Sequence, residues 1–137
     1  MSTTQFRTCP TTGLKVDLQA QALMKANAVA AVVFLAIGGL FGLSVALTRW
    51  PEVHLLPADW FYLALTAHGL DVLLLWIIFF EVAVLYFCSS TLLRCRIATP
   101  KVAWLAFALM LIGAVTNNIA VLQGSSSVMM TSYVPMM

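Results

Sequence analysis

Charge is what this chain has least of. Its 137 residues hold 7 lysines and arginines and 5 aspartates and glutamates, too little polar surface for a water-soluble domain. Seven cations are also too few to build a nucleic-acid-binding face, so no nucleic-acid partner is expected. Histidine occurs twice and cysteine three times. Two histidines exclude the three-histidine set of a copper centre. Cys9, Cys88 and Cys95 form neither a C-x-x-C pair nor a haem-attachment motif, and they read as free thiols. There is no phosphate-binding glycine loop. Nor is there a short apolar stretch ending in a small-residue cleavage site, because the first apolar run begins only after Met24.

What the chain does have is three long apolar runs. Residues 1–23 read as a polar tail, cytoplasmic and looping into the first span. The first run, Ala26 to Leu47, is about 22 residues, or roughly 33 Å as a helix, enough for the hydrocarbon core. Arg49-Trp50-Pro51 closes it. The second runs from Trp60 to about Leu93 and the third from Val102 to Leu122, followed by an exterior tail, 123–137. These bounds predict an all-α membrane domain over 24–122, with spans at about 26–47, 60–93 and 102–122. Strands are excluded, since the runs do not alternate and three segments cannot close a barrel.

Basic residues set the orientation. Arg7, Lys15, Lys25, Arg94, Arg96 and Lys101 fall on one side of the bilayer and Arg49 alone on the other. The positive-inside rule then predicts a cytoplasmic N-terminus and an exterior C-terminus. Trp50, Trp60, Phe61 and Tyr62 form an aromatic belt at the outer interface.

Polar groups inside a membrane are costly and mark function by default. His68 lies about 12 Å below the outer interface. Asp71, at i+3, shares its flank of the helix. Glu81 points away, toward the inner leaflet. Asn117 and Asn118 sit at about the depth of His68 and suit helix–helix hydrogen bonding. His68 fits a haem ligand, a metal ligand, a proton relay or a structural imidazole bonded to a neighbouring helix. Gly69, next to it, suits close approach by a planar macrocycle or tight packing. Asp71 and Glu81 are candidates for proton handling. Gly38-Gly39-x-x-Gly42 is a small-residue packing step. His54, in the exterior connector, is expected to be solvated. With one intramembrane histidine, the chain cannot make a bis-histidine haem site alone.

The stretch Trp60-Phe61-Tyr62-Leu63-Ala64-Leu65-Thr66-Ala67-His68-Gly69-Leu70, followed by Phe79-Phe80-Glu81, resembles helix II of haem–copper oxidase subunit I, particularly the B-type branch. Thr131-Ser132-Tyr133-Val134-Pro135 resembles the link between helices III and IV of that subunit. The resemblance runs from the first span to the end of the chain. It implies that His68, in a Thr-x-His-Gly element, is an axial ligand of the low-spin haem, with Gly69 allowing close approach.

It further implies that this is the N-terminal piece, helices I–III, of a split catalytic subunit. The remaining helices would lie on a separate polypeptide carrying the copper and the high-spin haem. A copper-bearing or cytochrome-bearing subunit II would complete the complex, with cytochrome c or quinol as donor. The activity implied is oxygen reduction coupled to proton pumping in a prokaryotic cytoplasmic membrane. The same superfamily includes nitric oxide reductases. Two other readings are a haem-bearing anchor of a succinate dehydrogenase or fumarate reductase complex, and a noncatalytic accessory subunit.

Overall fold

The computed structural model describes residues 6–124; the Thr131–Pro135 stretch and nearly all of the exterior tail lie outside these. Residues 6–17, where composition predicts a polar loop, form a hairpin. Strand β1, Phe6–Thr8, pairs antiparallel with β2, Lys15–Asp17, with Phe6 opposite Asp17. Gly13 supplies the positive φ of the turn, at 65°, which a residue without Cβ adopts freely.

Helix α1 spans Leu18–Arg49. It starts eight residues before the apolar run because Asp17 is an N-cap: its carboxylate accepts the Ala20 N–H at 3.3 Å and satisfies a donor that the first turn leaves unpaired. Its 32 residues exceed the hydrocarbon thickness, so the turns before Ala26, with Gln19, Gln21 and Lys25, extend past it. Extended backbone at Trp50, forced by the ring of Pro51, ends it.

The second span runs unbroken over Ala58–Leu92, 35 residues, but it is not uniformly α-helical. Helix α2, Ala58–Leu70, passes into a π-helical turn, Asp71–Leu75. Helix α3, Trp76–Phe87, passes into a second, Cys88–Leu92. In the first turn the Trp76 N–H donates to the Asp71 carbonyl, five residues back. In the second the Leu93 N–H donates to the Cys88 carbonyl at 3.1 Å. Each turn carries an extra residue and rotates everything beyond it. Arg94, with φ at 55°, then takes the left-handed conformation that commonly ends a helix. Helix α4, Pro100–Leu122, opens with proline in its first turn, where the missing N–H costs nothing.

The three spans are long and apolar enough to cross a membrane, and the protein is a multi-pass, all-α membrane protein. The hairpin and the connector after the second span share one end of the bundle: the Arg96 guanidinium stands 4.9 Å over the Phe6 ring. At the other end Arg49 stands 5.6 Å over Phe61 and ties α1 to α2. The half near the hairpin is packed with aromatics. Phe34 stacks on Phe79 at 5.5 Å and Phe79 meets Phe107 edge-on at 6.1 Å, with Ala30, Ala31, Leu75 and Ala114 filling between them.

Candidate functional site

Toward the opposite end, α1 meets the second span over glycine. A methyl group added at Gly42 would stand 2.7 Å from Cε1 and Nδ1 of His68. The imidazole thus occupies the space that any other residue would fill. One turn earlier, a Cβ on Gly38 would come within 2.7 Å of Asp71 Cβ and Val72 Cγ2 and 3.3 Å of the Val72 backbone nitrogen. Gly38 is the crossing point of the two helices, and its lack of a side chain exposes its carbonyl.

His68 uses that carbonyl: its Nδ1 lies 2.8 Å from Gly38 O. A carbonyl only accepts, so Nδ1 must carry the proton and donate. In the neutral ring the lone pair is then on Nε2, for which the described residues supply no hydrogen-bond partner. A histidine whose one nitrogen is held by a backbone carbonyl and whose other is a bare donor is arranged as metal-ligating histidines are.

Asp71 is fully buried. Its Oδ1 accepts from Asn118 Nδ2 at 2.8 Å, and that amide also lies 3.3 Å from the Ala114 carbonyl of its own helix. Asp71 Oδ2 and Asn118 Oδ1 are buried without a hydrogen-bond donor. The π turn begins at Asp71, between the residue that faces α1 and the residues beyond it. His68 and Asp71 therefore keep α-helical spacing, and the turn rotates the residues beyond them.

The structure brings together His68 and Asp71, both against Gly38. It does not bring Glu81 to them: that carboxyl is exposed on α3, beside Phe80, Val84 and Leu85. Gly69 is half-buried in α2 beside His68. The sequence also predicts an uncovered polar flank including His68, Asp71 and Asn117. Asn117 is exposed and His68 half-buried; Asp71 is enclosed, because Asn118 covers it. The sequence points to packing alone at Gly38 and Gly42; their four-residue spacing is its one signal for a surface that admits a ring.

Among the described residues no group of three or more histidine, cysteine, aspartate or glutamate side chains could hold a metal ion. His68 can therefore serve a metal as one ligand among others supplied from elsewhere, which is what a porphyrin and a second axial residue provide. The donor set fits a haem in that sense.

No curated protein and no solved structure matches the chain. Residues 22–137, which take in the second and third membrane spans and all but the first turn of α1, do match a family, described as cytochrome c and quinol oxidase polypeptide I. Most of the chain is covered by that match, its helical membrane architecture agrees with it, and the chain belongs to this family, subunit I of the haem–copper oxidases.

Proposed function

We propose that His68 is an axial ligand of the low-spin haem of a respiratory terminal oxidase, presented to the iron through Nε2. The observation that carries this is the 2.8 Å hydrogen bond from Nδ1 to the Gly38 carbonyl. It selects the tautomer, fixes the ring plane and makes the free nitrogen a better donor. Gly42 holds the ring from the side, and Gly69 leaves the next position on α2 without a side chain. Haem, when bound, supplies reversible one-electron chemistry; the protein's part is ligation, orientation and the surrounding dielectric. Asp71 and Asn118 close the α4 side of the same crossing. Of the two carboxyls considered for proton handling, Asp71 is the one beside His68, and Glu81 is assigned none of it in this reading.

The second axial ligand, the high-spin haem and the copper belong to the remaining helices of subunit I, for which the described residues have no equivalents. Subunit II and a cytochrome c or quinol donor complete the assembly, with oxygen as the acceptor and protons translocated. The family match favours this reading over an anchor of a dehydrogenase complex.

The hairpin end faces the cytoplasm of a prokaryotic inner membrane, with the excess of basic residues. All three cysteines lie at that end. The Thr12 hydroxyl, the backbone N–H groups of Thr12 and Thr11 and the charge of Arg7 bring the Cys9 thiol down to about 7, so a large share is thiolate at neutral pH. A membrane-impermeant maleimide should leave intact cells unlabelled and label Cys9 after permeabilisation. Labelling of Cys9 in intact cells would reverse the orientation.

Ligation is tested by exchanging the ligand rather than deleting it. In the assembled complex, His68→Met should keep a low-spin haem, because a thioether still fills the axial position, while the reduction potential rises. With nitrogen-15 histidine, pulsed electron paramagnetic resonance should lose one coordinated imidazole. An unchanged potential and unchanged couplings would remove His68 from the iron.

A further inference from the structure

On the face where α1 and α4 run side by side, the bundle carries a groove of about 580 Å³. Val29, Val33 and Ile37 of α1 form one wall and Phe107, Leu111 and Val115 of α4 the other. Every lining residue is apolar except Lys25, at one end. From Lys25 to Ile37 the groove covers twelve residues of helix, about 18 Å, close to the roughly 15 Å that half of a bilayer's hydrocarbon occupies. It thus spans a single leaflet, the one on the hairpin side.

The charge at its mouth is not Lys25 alone. The first and third spans cross in the same direction, and Ala30 and Phe34 pack with Phe107 and Leu111. In that register Lys101, about 9 Å before Phe107, lies near the level of Lys25. Both lysines are exposed, and neither has an ion-pair partner among the described residues. Apolar walls one leaflet deep, ending in two unpaired cations at the headgroup level, complement one kind of molecule: an anionic phospholipid. A transmembrane helix from another part of the assembly would need its own acidic residues at that level and would cross both leaflets.

We propose that the α1–α4 groove binds one anionic phospholipid, an acyl chain between Val33 and Leu111 and the phosphate between Lys25 and Lys101. The site is separate from His68, which packs on Gly38 and Gly42, outside the groove.

Native mass spectrometry of the assembled complex, supplied with dioleoyl phosphatidylglycerol or dioleoyl phosphatidylcholine, tests the pairing. Wild type should retain one phosphatidylglycerol with a preference of about tenfold or more, as two lysines near the surface provide. The double variant Lys25→Glu, Lys101→Glu should lose that preference and still retain phosphatidylcholine. Val33→Trp, which fills the groove, should release both lipids. A preference that survives the charge reversal overturns the proposal. A photoreactive side chain at Val33, in otherwise unaltered protein, gives a readout independent of variant stability: lipid adducts support the site, and adducts to protein alone refute it.

Discussion

The two halves of the bundle are joined by different means. Near the hairpin, α1, α3 and α4 close over Phe34, Phe79 and Phe107, with alanine and leucine side chains between them. Toward the other end α1, α2 with the π turn that follows it, and α4 meet through Gly38, Gly42, His68, Asp71 and Asn118. Lipid is as apolar as phenylalanine, so the aromatic half gains mainly from close packing rather than from leaving water. The polar half gains less from packing and more from directional bonds; it leaves Asp71 Oδ2 and Asn118 Oδ1 unpaired. The hairpin half has its own unpaired buried oxygens at Asn27, Ser90 and Thr91, outside the aromatic cluster. One half is built to hold helices together and the other to aim side chains. The π turn at Asp71 falls where one gives way to the other, as such bulges often do at functional sites.

Substitutions at the glycines should separate these roles, and Gly38→Val should have the largest effect. Its side chain meets Asp71 Cβ and the Val72 backbone, neither of which can swing away. We expect a loss of about 3 kcal/mol or more of helix association, read as absence of the assembled complex in membranes. Next comes a matched pair. Gly42→Ala should displace the imidazole from the Gly38 carbonyl, leaving an assembled complex with a diminished or broadened low-spin band. Phe79→Ala should do the opposite and leave the band intact. Its cost should be about 2 kcal/mol, below the roughly 3–5 kcal/mol of water-soluble cores because lipid rather than water is the reference. Thermal unfolding and the reduced-minus-oxidised spectrum, recorded on both variants, check the pair. If the two behave alike, the distinction between the halves fails. Asp71→Asn should be mildest, since an amide oxygen can still accept from Asn118. It should shift the haem potential by tens of millivolts at most, with the band retained, as a redox titration would show.

Much of this was legible in the residues. Long apolar runs can only be spans, so the helices could be read directly, and a histidine among them has few inexpensive explanations, so His68 could be singled out as the candidate. Asp71 beside it followed from helical spacing. The rest was hidden for specific reasons. A π turn leaves no mark on composition, so the rotation of the residues beyond Asp71 could not be read, nor could the bond from Asn118 to Asp71. Helix α1 reaches back to Leu18 because one carboxylate caps it, a local bond that outweighs the polar composition of the segment. Gly38 and Gly42 became part of the site only once a partner was known, because a glycine pair shows that something approaches and not what.

The account stands or falls on His68 as an iron ligand. The direct measurement is the reduced-minus-oxidised spectrum of the assembled His68→Ala complex, with subunit content quantified in the same preparation. The slot between Gly38 and Gly42 loses its ring but no helix loses its span, so subunit content should stay near wild type while the low-spin band and most oxidase activity disappear. A low-spin band of wild-type shape and intensity in that complex would show that the imidazole on Gly38 is a packing element and that the haem is held elsewhere.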